Sequence, residues 1–213
     1  MVREPWVVVS NLIRRPLHWW LRPVVRGAEH IPTAGGVVVA PNHLSYLDIF
    51  LVAAASPRAP RFVGKSELAR GWLGRLVGWL GMVPVERGHG DLRVVRDVAA
   101  LLRAGALIGI FPEGTRTPDG RLYRFRSGAT RAAAAAQVPL VPATITGTNA
   151  VWPKGGKVRL RRPPRGTVSI TFHPPLSPPA DDGPARRRFT QRLEAVVAGA
   201  SDQPLADCFA PKD

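Results

Sequence analysis

The sequence predicts an α/β fold in a single domain, with a twisted, mostly buried sheet and helices on its faces. Short β-branched apolar runs recur along most of the chain, each bounded by Gly or Pro in the manner of buried strands. Longer stretches with apolar residues at helical spacing separate them. The length, 213 residues, suits one hydrophobic core with small appended elements.

An N-terminal amphipathic helical segment, residues 1–24, comes first. Its stretch WVVVSNLIRRPLHWWLR sets Trp6, Trp19 and Trp20 beside Arg14, Arg15 and Arg22, and Pro16 is expected to break or kink a helix there. Aromatic and basic residues around an apolar face suit a helix lying in a membrane interface, or equally one packed on the domain. The domain proper is expected over residues 25–200. Its strands are GGVVVA (35–40), RFVG (61–64), MVPVE (82–86), ALIGIF (106–111) and PLVPATI (139–145). Its helices are SYLDIFLVAAA, SELARGWLGRLVGWL, DLRVVRDVAALLRAG and SGATRAAAAAQ, all composed of residues that helices accept. In the second of these, Leu68, Trp72, Leu76, Trp79 and Leu80 form an apolar stripe that suits either the core or a bilayer surface. After residue 150 the alternation in KVRLRR and TVSITFH predicts exposed or edge strands, and a basic helix follows around ARRRFTQRLEAVVAG. Residues 201–213 are expected to form a C-terminal tail.

Composition narrows the function. A hydrophobic fraction of 45% argues against a disordered chain despite 22 prolines and 21 glycines. The 30 basic residues exceed the 15 acidic ones by +15, a field that attracts nucleic acid, anionic lipid head groups or phosphorylated substrates. The lone Cys208 excludes an internal disulfide and a cysteine-based metal cluster, so a reducing compartment is expected and no metal site. No stretch reaches the roughly 18 uncharged apolar residues of a spanning helix, and no signal-peptide pattern opens the chain, which predicts a soluble or peripheral protein.

The stretch APNHLSYLD, residues 40–48, places His43 just past a buried strand and Asp48 five residues on. Open α/β sheets carry their sites at such strand ends. Two readings compete there. Ser45 with Asp48 resembles a capping box at a helix start; alternatively the Asp48 carboxylate fixes one imidazole nitrogen of His43 and leaves the other as a general base. Further along, FPEGTR (111–116) follows another strand and carries Glu113 and Arg116 around a Pro-Glu-Gly turn, and VERG sets Arg87 at a third strand end. Two guanidinium forks converging at one end of the sheet suit a phosphate.

Taken together in this order, NHLSYLD, VERG, FPEGTR and VPATI resemble the four sequence blocks of the glycerolipid acyltransferases, most closely the bacterial 1-acylglycerol-3-phosphate acyltransferases, over roughly residues 25–150. The resemblance implies a glycerol-3-phosphate acyltransferase-like fold and transfer of an acyl group from acyl-CoA or acyl-carrier protein to the free hydroxyl of 1-acylglycerol 3-phosphate, giving phosphatidic acid. It further implies His43 as general base, Asp48 as its orienting partner, and Glu113, Gly114, Thr115 and Arg116 shaping the acceptor site. Arg87 joins Arg116 on the acceptor phosphate, Lys65 adds a charge, and Pro142 matches the last block; for Glu113, Lys65 and Pro142 a structural role stands equally beside direct chemistry. No cofactor is implied, since a thioester is already activated. The implied partners are a lysophospholipid, the acyl donor and an anionic membrane surface, with no nucleic acid. The place of work is cytoplasmic, peripheral at the inner face of the cell membrane. Two alternatives stand beside this reading: the same chemistry on glycerol 3-phosphate, a glycolipid or an aminolipid, and a non-enzymatic basic binder of membrane or nucleic acid.

Overall fold

The structure, a computed structural model, describes residues 5–65, 83–85 and 92–211. The helix expected over residues 66–80, with its apolar stripe, lies outside them. The strands are β1 (Val24–Arg26), β2 (Val37–Pro41), β3 (Arg61–Lys65), β4 (Val83–Val85), β5 (Leu107–Gly109), β6 (Leu140–Thr146) and β7 (Ser169–Phe172). They form a seven-stranded sheet in the order β1-β7-β6-β2-β5-β3-β4. All neighbours run parallel except β6 with β7. The helices are α1 (Pro5–Leu21), α2 (Leu47–Ala55), α3 (Leu92–Arg103), α4 (Gly128–Ala136), the single turn α5 (Thr148–Val151) and α6 (Gly183–Gly199).

The all-apolar stretch Val37 to Ala40 forms the middle of the sheet because both of its faces are covered. Val37 and Val39 point into one layer, against α1 and α2, with Leu51, Val52, Ile145, Ile170 and Phe172. Val38 and Ala40 point into the opposite layer, with Leu102 of α3, Ala129 and Ala133 of α4, and Phe189, Leu193 and Val197 of α6. This two-sided burial is the physical reason such strands read as unbroken apolar runs. Two of them, β2 and β5, are neighbours whose onward connections leave in opposite directions: β2 leads through α2 to β3, while β5 leads through α4 to β6, across β2. A crevice opens at the carboxyl ends of such a pair.

Several expectations are corrected. Residues 157–162 form no strand; the apolar alternates Val158 and Leu160 are left unburied, Leu160 standing out at the surface, and the stretch runs as an irregular loop. The TVSITFH strand is not an edge: β7 lies inside β1, with Ile170 and Phe172 buried. The short elements β1 and α5 are additions to the expected set. Helix α1 continues through Pro16, because that residue lies on the exposed side, where water can take the carbonyl of Leu12 that the missing N–H leaves unpaired. Packing decides the outcome: Val9, Ile13, Leu17 and Trp20 press against the core and Leu21 is fully buried. Residues 201–211 of the C-terminal tail pack on the domain. Leu122 N donates to Pro204 O, Ala206 N to Leu122 O and Arg124 N to Cys208 O, and Ala206 and Ala210 are buried beside Tyr123.

Candidate active site

His43 sits just past β2, where the strand gives way to the loop that starts α2. Its Nδ1 donates to Asp48 Oδ2 at 2.9 Å. The same oxygen accepts the backbone N–H groups of Leu44 at 2.6 Å and Ser45 at 2.8 Å, while Oδ1 accepts the hydroxyl of Thr148 at 2.5 Å. Asp48 is therefore completely buried yet well supplied with donors, in the first turn of α2 where the helix dipole favours its charge. Ser45 Oγ accepts from Leu47 N and donates to Trp152 O. One carboxylate thus both closes the helix start and holds the imidazole. The one difference is that α2 begins a residue later than a Ser45 cap requires, with Tyr46 as the capping position.

The imidazole is fixed from a second side. Phe111, two residues past β5, stacks on it at 3.8 Å with the planes 16° apart, and Phe62 stacks behind Phe111 at 5.9 Å. This column of rings needs Gly109, since a Cβ there would lie 2.5 Å from the Phe62 ring. The His43 backbone is also held at both ends. Its N–H donates to Glu113 Oε1 at 2.8 Å, and its carbonyl accepts from Thr117 N at 2.8 Å. With Nδ1 committed to Asp48, Nε2 is the nitrogen left for chemistry, on a side chain 11% exposed.

Glu113, expected to shape the acceptor site, is instead fully enclosed, its second oxygen accepting Tyr123 N at 3.0 Å. Burial pushes its carboxyl up to about 8, with Asp48 and Glu194 adding repulsion and the two backbone N–H donors opposing. It ties the β2 and β5 loops together through those two backbone donors. Gly114 takes a left-handed φ of 80°, which turns the chain sharply after Glu113. Thr115 is buried. Arg116 then reaches the surface, where its guanidinium lies 3.6 Å over the Tyr46 ring and Lys154 Nζ donates to its carbonyl at 3.2 Å. Pro142 lies apart, inside β6 in register with Ala40, and its carbonyl accepts from His173 N at 2.8 Å. Lys65 ends β3 opposite Val85, and Arg87 lies outside the described residues.

Residues 22–146 match the Acyltransferase family. The chain belongs to that family. Among relatives, a 1-acyl-sn-glycerol-3-phosphate acyltransferase of Chlamydomonas reinhardtii is 34% identical over 192 residues, covering 85% of this chain and 56% of its own length. The alpha enzyme of the same name from Mus musculus is 34% identical, covering 78% of this chain and 59% of its own. The chain spans little more than half the length of these curated relatives. The crystal structure of PlsC, the 1-acyl-sn-glycerophosphate acyltransferase from Thermotoga maritima, superimposes with a TM-score of 0.72 at 27% identity, covering 91% of this chain and 78% of that one.

In this acyltransferase-family chain, two supporting residues have no role assigned from the sequence, Asn42 at the head of NHLSYLD and Thr148 beyond the last block. Asn42 exchanges two hydrogen bonds with the Ile145 backbone, at 2.9 and 2.7 Å, and donates to Gln203 Oε1 at 2.6 Å, so it ties the His43 loop to β6 and to the C-terminal segment. Thr148, on α5, holds the outer oxygen of Asp48. The only sequence signal for either is a polar residue beside an apolar strand, which does not name its partner. Among the described residues no cluster of His, Cys, Asp or Glu could hold a metal ion.

Proposed function

We propose that this chain is a 1-acylglycerol-3-phosphate O-acyltransferase that forms phosphatidic acid. The observation that carries the reading is the His43–Asp48 hydrogen bond, which leaves Nε2 free as a base within a family that transfers acyl groups. In the reaction, Nε2 takes the proton of the acceptor hydroxyl while its oxygen attacks the thioester carbonyl. Asp48 stabilises the imidazolium that results. The tetrahedral intermediate expels the thiolate of CoA or acyl-carrier protein, and Nε2 returns the proton to that sulfur. The ester bond forms as the thioester breaks, with no cofactor or metal and no covalent acyl-enzyme.

Arg116, stacked on Tyr46 and so pre-oriented at the mouth of the site, holds the acceptor phosphate together with Arg87, and Lys65 adds charge. The work is done at a bilayer surface, on the inner face of a bacterial cell membrane. No described helix is long and apolar enough to cross a membrane. The activity for which the relatives are named and the exposed apolar residues of α1 support that placement.

The test supplies purified protein with a labelled acyl-thioester and, separately, 1-acylglycerol 3-phosphate, glycerol 3-phosphate, a glycolipid and an aminolipid. Phosphatidic acid and one equivalent of free thiol are expected from the first. Transfer to another acceptor, with none to 1-acylglycerol 3-phosphate, overturns the assigned substrate; transfer to none overturns the activity.

A further inference from the structure

A cleft of about 440 Å³ opens where the end of α1 meets the loop after α5, and four arginines line it: Arg22, Arg159, Arg161 and Arg162. Its charge has no local answer. No Asp or Glu lines the cleft, and none of the four arginines stands in an ion pair among the described residues. Arg22 is held in the left-handed region at φ 47°, uncommon for a residue with a Cβ, with Nη2 donating to Pro163 O at 3.1 Å. Its Nε is buried and finds no acceptor among the described residues. The cleft is thus a set of guanidinium donors awaiting an anion.

The rim says where that anion sits. Leu160 is 81% exposed and Trp19 67%, with Leu12 of α1 at 69%. These are joined into one surface: Trp20 Nε1 donates to Leu160 O at 3.1 Å, and the Arg162 guanidinium lies 4.7 Å over the Trp19 ring. A tryptophan and leucines standing out beside arginine forks match the level of a bilayer where acyl chains meet head groups. A soluble anion would have no use for the apolar rim.

From this juxtaposition we infer that the Arg22–Arg159–Arg161–Arg162 cleft is a binding site for the phosphate head group of an anionic membrane phospholipid, with Trp19 and Leu160 entering the interface beside it. The inference rests on the reading that the enzyme works at a bilayer, and it adds a discrete lipid site to it. Because α5 lines the cleft through Ala150 and Val151 while its Thr148 bonds Asp48, the lipid is held on the element that backs the catalytic pair.

The test measures partitioning of the full chain onto phosphatidylcholine vesicles with and without phosphatidylglycerol. The variant R159Q/R161Q/R162Q is compared with R187Q/R188Q/R192Q, which removes the same charge from α6 on the opposite face of the sheet. The first is expected to lose about tenfold or more of its preference for the anionic vesicles, the second less than about threefold. Single Gln variants at 159, 161 and 162, each with a partial loss, cover a triple variant that fails to fold. Equal losses in the two triple variants would show diffuse attraction and overturn the site. So would saturable binding of soluble glycerophosphate, or of acidic acyl-carrier protein, abolished by R159Q/R161Q/R162Q while vesicle binding stays unchanged. Partitioning is read without turnover, so the site stands or falls on its own even in a chain inactive on every acceptor.

Discussion

At the scale of single residues, the chemistry depends on how firmly His43 is held. Replacing His43 with Ala removes the base while its backbone bonds to Glu113 and Thr117 remain, so acyl transfer is expected to fall about 10² to 10⁴-fold with an unchanged melting temperature. Asp48→Asn differs. Its amide cannot accept at both of its heads, so either the Nδ1–H of His43 or the Thr148 hydroxyl loses its acceptor, and both turnover and stability should drop. Glu113 gives a pH signature of its own. Its folded value of about 8 lies above its ordinary 4.5, so the native state keeps a proton that the unfolded chain releases between those values. Stability from this group therefore declines as pH rises through that window. Denaturation midpoints measured across it should fall less steeply in Glu113→Gln than in the parent; equal slopes would refute the assignment. The contact between His43 and Asp48 was legible in the sequence because the two lie five residues apart, within one strand-to-helix turn. Asn42 and Thr148 were not, because their partners Ile145 and Asp48 lie 103 and 100 residues away, and a polar side chain in sequence carries no address. The burial of Glu113 was hidden for the same reason, its two N–H donors coming from residues 43 and 123.

At the scale of elements, β5 contributes through what it lacks. Gly109→Val would place carbon atoms where the Phe62 ring lies, and that ring can yield only toward Phe111 and the imidazole behind it. Overpacking of this kind costs about 1–3 kcal/mol, and here it should also lower kcat by disturbing the stack on His43. Adding Phe62→Leu to Gly109→Val should recover much of both, a non-additivity that a double-mutant cycle reads directly. The strands β2, β5 and β6 were visible as apolar runs, since burial on both faces leaves an unbroken signature, and β3 and β4 as shorter runs bounded by Gly or Pro. Where burial is one-sided or short, the signal failed: β1 has three residues and α5 four. The stretch 157–162 alternates as a strand should, but its alternate side chains are arginines with no sheet edge to join.

At the scale of the whole molecule, the C-terminal segment binds together parts that are far apart in the chain. Removing residues 201–213 would strip backbone bonds from Leu122 and Arg124, uncover Tyr123 and take Gln203 from Asn42. At about 1 kcal/mol for each hydrogen bond lost, the melting temperature should fall on the order of 10 °C. Activity should fall with it, because Asn42 anchors the loop that carries His43. A truncated chain with the parent's melting temperature and turnover would show the segment to be dispensable.

That same contact carries a consequence in time. Gln203 reaches the ribosome exit after every strand of the sheet, and it also donates to Gly120 O, so one late side chain spans two loops that were translated long before it. Domains begin to fold as they emerge, at about 5–20 residues each second. The nascent sheet can therefore form while Asn42 still lacks one of its partners. The histidine loop gains that last fastening only when this later stretch docks, so the sheet can be complete before the loop beside it is fully tied.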